Sequence, residues 1–442
     1  MTELDRFIGR IKSISGNDTV LTQEQSQMVV NELNRFLFSK QNRLGTVRAL
    51  DSDWDFFSPY HKFWYENAER IINPIIDVPT CRQVAEVLLD VHQKTGGKAF
   101  ESDSGVINRE DLTDEEVCRV RLLTANQDFR GSRNFSELVK LYKKDKTWFD
   151  IDRIKDDPEG FLSYIDVIKL SQTDKRKDYA INICGFIESC NTSNPFNTID
   201  HFGGDLEAFR KGLIKYSGAG YGEKKTDMFI RDMVVSGVWR GKKNFDKINV
   251  ASDVNTITVA LRTGILKTGI PLVSSFLDIF SYQYGLIETL NAEAWRCVWE
   301  EWNKLSETEV VASPCMLDFF IYRTVGKEFC SPKLVHYSCE NGHEFYWNSR
   351  KVRKCKGGKN CSANIHLIAQ TLPCESDDAS AVITKTDFYK NCKSYTQCPF
   401  KPVCDNGGRK NLSPPKSISI LGGTGWQSAY AEEGAGGGGP MA

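Results

Sequence analysis

Leu213-Ile-Lys-Tyr-Ser-Gly218-Ala-Gly220-Tyr-Gly222-Glu-Lys224-Lys225-Thr226-Asp227-Met228 is the segment on which the reading of this chain turns. A helical run ends in three glycines within five positions, and a second amphipathic run starts at once. Glycine is used where the backbone must take conformations closed to other residues or let another group approach closely. Such a turn between two helices offers backbone N–H groups and a helix N-terminus to an anion, with phosphate the natural ligand. Gly218, Gly220 and Gly222 are therefore expected to shape a phosphate-gripping hairpin, with Lys225 and Arg231 as DNA contacts. Lys224, then Arg240, Lys242 and Lys243, add local positive charge.

The rest of the chain sets bounds on that reading. At 442 residues it is too long for one ordinary core. With 40% apolar and 26% charged residues it has the composition of a folded protein. Formal net charge is −1, so phosphate binding must come from a local patch rather than from the whole-chain sum. The opening MTELDRFIGRIK carries charges where a signal peptide needs an apolar stretch, and no apolar run is long enough to span a bilayer. The most apolar stretch, 270–280, reads as core. A cytoplasmic location is expected, where disulfides are rare, so the 14 cysteines point elsewhere. Eight of them fall between Cys330 and Cys404, a density that indicates metal.

Apolar residues recur at three- and four-residue intervals in 138–142, 161–168, 179–187, 209–214 and 286–302, which predicts a mainly α protein. The aromatic segment from Trp54 to Tyr65 is expected to pack an N-terminal helical layer, base stacking being the alternative. After residue 330 the texture changes: 334–338 and 344–347 read as a small hairpin flanking Cys339 and His343. A basic loop with Lys351, Arg353, Lys354 and Lys356 follows, and the Gly-rich end, 422–442, reads as a flexible tail. The expected division is an N-terminal helical region (1–110), a helical core (111–329), a Cys/His-rich metal module (330–410) and the tail (411–442).

Gly220-Tyr-Gly222-Glu-Lys224-Lys-Thr-Asp227 resembles the helix-hairpin-helix signature of the endonuclease III and 8-oxoguanine DNA glycosylase superfamily. Ile248-Asn-Val-Ala-Ser-Asp253 resembles that family's second mark, an aspartate opening a later helix, and Arg262-Thr-Gly264-Ile resembles the Arg-Leu-Gly-Leu that closes it. The match covers roughly 160–270, with its specific motifs within 213–265. The interval between Lys224 and Asp253 is closer to the archaeal 8-oxoguanine glycosylases than to the endonuclease III branch. A serine stands where valine usually precedes the aspartate.

The resemblance implies a two-lobed glycosylase core that flips a modified base out of DNA and cuts its bond to the sugar. Asp253 would stabilise the cation-like sugar, helped by its helix N-terminus, although an aspartate there is equally a plain N-cap. Lys224 would attack as an amine and form a Schiff base, opening a lyase route, or would only bind backbone phosphate. The substrate implied is an oxidised purine, in repair, or a bulky phage-type base, in antiviral defence. The rival is a non-catalytic DNA-binding protein using the hairpin and a zinc module. A nuclease would want an acidic metal cluster that the sequence does not offer.

Cys339, His343, Cys355 and Cys361 are two close pairs of soft ligands in the style of a structural zinc site. Cys374, Cys392, Cys398 and Cys404 end in a compact trio that resembles the [4Fe–4S] loop of the endonuclease III family without its spacing, a second zinc being the alternative. Cys315 and Cys330 are available as substitutes in that set. Cys81, Cys118, Cys184, Cys190 and Cys297 read as plain buried residues.

Overall fold

The structure, a computed structural model, describes residues 2–37, 69–70, 72–101, 111–128, 134–167, 173–273, 276, 284–348, 352–384, 395–406 and 411–415. The expectations for 54–65, Lys351, Cys392 and 422–442 lie outside the described residues. The chain is mainly helical and forms two compact units. A terminal unit combines Met1–Ala99, Ser252–Val310 and Phe320–Ala442, and a central unit combines Phe100–Ala251 with Val311–Phe319. These units cut through the 111–329 segment and join its second half to the N-terminal residues, so the contact division is not contiguous in sequence.

The terminal unit begins with α1 (Glu3–Ser15), α2 (Gln23–Leu37) and α3 (Val78–Thr95). The central unit follows as α4 (Asp114–Thr124), α5 (Phe135–Lys144), α6 (Ile151–Asp156), α7 (Pro158–Tyr164), α8 (Thr173–Ser189), α9 (Thr198–His201), α10 (Leu206–Lys215) and α11 (Glu223–Val235). Polar side chains open most of these helices by accepting from their orphan N–H groups: Thr113 for α4, Asn134 for α5, Asp150 for α6, Asp157 for α7 and Asp205 for α10. The expected helical run 161–168 stops at Tyr164, where Asp166 takes a left-handed φ of 55° that ends the helix.

Apolar faces of these helices converge on one core that includes Phe149, Phe161, Ile183, Phe209, Phe229 and Trp239. Trp239 stands edge-on to Phe209 (5.0 Å) and Phe229 (5.3 Å), the arrangement aromatic quadrupoles favour, and thereby locks α10 to α11. Next to this core lies a buried ion network. Arg121 Nη2 reaches Asp232 at 2.6 Å, Arg231 Nη2 reaches the same carboxylate at 2.8 Å, and Arg231 also pairs with Asp318.

Returning to the terminal unit, the chain forms α12 (Val254–Thr263) and α13 (Tyr284–Leu305), and α13 packs along α3. Trp295 and Trp302 of α13 are fully buried, and the Cys81 thiol of α3 donates to the carbonyl of Ala294 (3.9 Å). A short antiparallel pair, β1 (Ile75–Ile76) with β2 (Leu266–Lys267), and bridges from Ser413 to Val20 and from Leu412 to Leu272 stitch distant segments together. Ile270, Leu272, Val273 and Phe276 are buried, as the apolar stretch predicts for its described residues. A wide-turn (π) helix, Phe319–Phe329, leads to a three-stranded antiparallel sheet ordered β4-β3-β5. β3 (Leu334–Cys339) and β4 (Glu344–Trp347) are the expected hairpin, while β5 (Ile365–Thr371) is a strand the periodicity did not announce. α14 (Asp377–Thr384) and α15 (Lys401–Asn406) complete the described chain, in which no helix is long and apolar enough to cross a membrane.

Candidate nucleic-acid interface and metal centres

The hairpin between α10 and α11 is built by close packing against α8. Gly218 (φ 77°) and Gly220 (φ 74°) are both left-handed. A Cβ at Gly218 would lie 2.7 Å from Asn182 Nδ2, and one at Gly220 would lie 2.5 Å from the Tyr179 ring. These two positions demand glycine on both conformational and steric grounds. Gly222 does not: its backbone is extended (φ −85°, ψ −177°) and a Cβ there would meet open space. The turn is then pinned from behind. Asn126 Nδ2 donates to the carbonyl oxygens of Tyr179 (2.9 Å) and Ala219 (3.1 Å), and Tyr221 Oη donates to Leu122 O (2.6 Å).

Gly222 is also the N-cap of α11, and no side chain caps that helix. Its first turn carries Lys224, which is exposed. Lys225 is turned inward: its Nζ donates to Asn126 O (2.8 Å) and sits 5.8 Å from the Tyr179 ring centroid. Burial lowers its pKa to about 8, with Lys224, Arg176 and Lys175 pushing the same way and Asp128 opposing. Lys225 thus braces the hairpin through Asn126. Arg231 is corrected outright as a DNA contact. Its guanidinium is buried, held by Asp232 and Asp318 and stacked 4.6 Å over the Phe319 ring, so its donors face carboxylates inside the fold. Of the downstream cations, Arg240 and Lys243 are exposed, and Lys242 pairs with Asp200 at 2.9 Å. Exposed Lys175 on α8 belongs to the same unit and was not singled out from sequence, because its proximity to the hairpin comes from packing.

Asp253 opens α12 as a full capping box. Its Oδ1 accepts from the N–H groups of Asn255 and Thr256, both at 2.9 Å, and its Oδ2 accepts from Asn255 Nδ2 at 2.8 Å. Thr256 Oγ1 accepts from Asp253 N in return (2.9 Å). The carboxylate is half-buried and fixed in orientation. Beneath it Asn291 Nδ2 donates to Ser252 Oγ (2.8 Å), and Ser252 Oγ donates to Glu288 O (2.7 Å), tying the cap to α13. Gly264, left-handed at φ 82°, closes the helix as its sequence implies. Lys224 belongs to the central unit and Asp253 to the terminal unit.

The Cys339, His343, Cys355 and Cys361 ligand atoms all lie within 4.8 Å of one another. Cys339 Sγ is 3.5 Å from His343 Nδ1 and 3.9 Å from Cys361 Sγ, and Cys355 Sγ is 3.8 Å from His343 Nδ1. A tetrahedral ion bound at ~2.3 Å to sulfur sets its thiolate sulfurs about 3.8 Å apart, so the group can hold a metal ion such as zinc. Sequence and fold cooperate here: the β3–β4 turn supplies Cys339 and His343, and the loop before β5 supplies the other pair. Gly358 lets that loop approach, since a Cβ there would lie 2.6 Å from the His343 ring. Cys361 is prepared as a thiolate: the Ala363 N–H first, then His343 and Asn341, lower its pKa to about 7. The core beneath is small, comprising Val335, Tyr337 and Phe345 with Cys339 and Cys355.

A second set gathers elsewhere in the terminal unit. Cys374, Cys398 and Cys404 line one cavity of about 410 Å³, and Cys330, from the end of the π helix, lines it with them. Burial and the neighbouring thiols push Cys398 well above the ordinary thiol range, and burial moves Cys330, Cys374 and Cys404 up to about 12. Cys315 is in the central unit against Ser313 Oγ (3.2 Å), which removes it from this set. Cys81, Cys118, Cys184 and Cys190 are buried as expected, while Cys297 is partly exposed.

Searches of protein-family models, curated proteins and solved structures find no match for this chain.

Proposed function

We propose that this protein is a DNA glycosylase of the helix-hairpin-helix type, excising a modified base after flipping it from the duplex. One observation carries the reading: a hairpin forced by two left-handed glycines delivers a helix N-terminus that no side chain caps, with exposed Lys224 in its first turn. In the same unit Thr, Asn or Asp side chains cap α4, α5, α6, α7 and α10, whereas the one-turn helix α9, like α11, has no side-chain cap bond. An uncapped N-terminus keeps donors and a positive dipole end available for a phosphate.

In this reading Asp253, oriented by its cap hydrogen bonds, stabilises the positive charge that develops on the sugar as the C1′–N bond breaks. The departing base takes the bond's electron pair and, in net balance, the proton that the amine or water gives up on bonding to C1′. Lys224 then serves as the amine that captures C1′, or as a phosphate contact while water attacks. The substrate is an oxidised purine or a bulky phage-type base, and the Cys339 set holds zinc.

The test is incubation with duplexes that each carry one modified base, scored for free base, strand scission and borohydride-trapped adduct. Base release that disappears in Asp253→Asn, with trapping that disappears in Lys224→Ala, is the expected pattern. DNA binding by the wild type with no base released from any duplex would instead establish a non-catalytic binding protein.

A further inference from the structure

A carboxylate that stabilises developing charge must not move as the charge appears, and the surroundings of Asp253 meet that need in a way a plain helix cap does not. Helix ends fray, and Asp253 stands half-buried at such an end. The turn that follows it is nevertheless gripped by two other helices. From α13, the fully buried Asn291 donates through Nδ2 to Ser252 Oγ (2.8 Å) and to Thr256 Oγ1 (3.3 Å). Four residues on, and so on the same face, Trp295 Nε1 donates to the carbonyl of Thr256 (3.4 Å). The π helix makes the second grip. A Cβ on Gly326 would lie 2.8 Å from Asn255 Cβ and 3.3 Å from its carbonyl oxygen, so glycine is what lets that helix come so close.

These grips reach the carboxylate through Asn255 and Thr256. Asn255 donates to Oδ1 through its N–H and to Oδ2 through its side chain. Thr256 donates to Oδ1 through its N–H, and its Oγ1 also donates to Asp253 O (3.1 Å). Both carboxylate oxygens are thus held by residues that α13 or the π helix holds in turn. Asn291 is, besides, a poor choice for stability alone. Its Oδ1 is buried and meets no hydrogen-bond partner among the described residues. A buried acceptor left unmatched is costly, and leucine, of the same branched shape, would carry no such cost. What asparagine supplies is the pair of bonds to Ser252 and Thr256.

We propose that Asn291 is the positioning residue of Asp253: through Thr256 it locks the first turn of α12 and keeps the carboxylate aimed at the sugar. Its effect on base release rests on the glycosylase reading, whereas its hold on the turn does not. Asn291 takes no proton and touches no substrate. A misplacement of about 1 Å at a reacting centre can cost about a hundredfold in rate, so loss of the lock should appear in the chemical step and not in DNA affinity.

The experiment compares the full chain with Asn291→Leu by amide hydrogen exchange resolved at Asn255 and Thr256, by thermal unfolding, and by single-turnover base release beside DNA affinity. The expected result is exchange at those two amides at least about tenfold faster while the rest of α13 stays protected, with an unchanged unfolding midpoint. Base release should slow about ten- to a hundredfold at unchanged DNA affinity. Gly326→Ala, which presses on Asn255 without touching Asn291, should repeat the pattern. Where leucine overfills the site and the variant fails to fold, Asn291→Ala gives the same readings. Unchanged exchange at both amides would overturn the proposal, as would base release at the wild-type rate or a fall in DNA affinity that accounts for the slower release. A wild type that releases no base sinks the glycosylase reading instead, and exchange at Asn255 and Thr256 still decides whether Asn291 locks the turn.

Discussion

Lys225 should make the stability of this protein depend on pH in a direction opposite to that of its buried thiols. Burial lowers its pKa from 10.5 to about 8 in the folded chain, whereas the unfolded chain restores the ordinary value. Below pH 8 both states carry the proton, and the folded state bears the full penalty of a desolvated ammonium. Each tenfold loss of proton affinity corresponds to about 1.4 kcal/mol, which makes that penalty roughly 3 kcal/mol. Between pH 8 and 10.5 the unfolded state binds more protons than the folded one, so stability rises with pH and the penalty fades. From about pH 7 to 9.5 the recovered part is about 2 kcal/mol. Buried thiols such as Cys184, whose pKa burial raises to about 12, act in the reverse sense over pH 9–12 and would mask this in the wild type alone. The informative quantity is therefore the difference between wild type and Lys225→Met, from urea unfolding under reducing conditions at about pH 7, 8 and 9.5. The variant deletes the bond to Asn126 O at every pH, which offsets the curve without tilting it. Wild type should gain about 2 kcal/mol on the variant across that range. A difference that is flat, or that falls with pH, would show that Lys225 is solvated and that the packing account of the hairpin is mistaken.

Two further outcomes separate neighbouring residues. Gly220→Ala should lose at least about 1–2 kcal/mol from left-handed strain alone, beyond the contact with the Tyr179 ring, whereas Gly222→Ala should change stability by no more than about 0.5 kcal/mol; thermal unfolding reads the first, and a loss of DNA affinity in Gly222→Ala at unchanged stability would mark close phosphate approach. Chelation of the Cys339 site, or Cys355→Ser, should abolish hydrogen-exchange protection across β3, β4 and β5 while leaving α10 and α11 protected, because the core of that sheet is too small to stand without its ion.

Much of the helical architecture was legible because apolar spacing at three and four residues survives in runs such as 138–142 and 286–302, now α5 and α13. The Cys339 set was legible for a related reason: its ligands are close in sequence and flank one hairpin. What escaped depends on partners far along the chain. Arg231 resembled a phosphate ligand until Asp318, 87 residues away, accounted for its charge. Cys330 took its place beside Cys374, Cys398 and Cys404 through packing that no local spacing encodes. β5, Ile-His-Leu-Ile-Ala-Gln-Thr, does not alternate, and exists because β3 offers it a free edge. Lys224 and Lys225 are adjacent and chemically alike, and only the fold separates the exposed one from the braced one.

The seam at Ser413 has a consequence for how the molecule is made. Its carbonyl accepts from Leu21 N (2.9 Å) and its N–H donates to Thr19 O (2.8 Å), so residues near the start of the chain are sealed by residues translated almost four hundred positions later. While synthesis proceeds, the Phe100–Ala251 stretch has nearly all its own core to collapse upon, but the segment ahead of it must wait with apolar surface uncovered. Nascent chains stalled before residue 411 should for that reason be the ones that chaperones hold, and a ribosome-release series stepped through 411–415 would reveal the moment of closure.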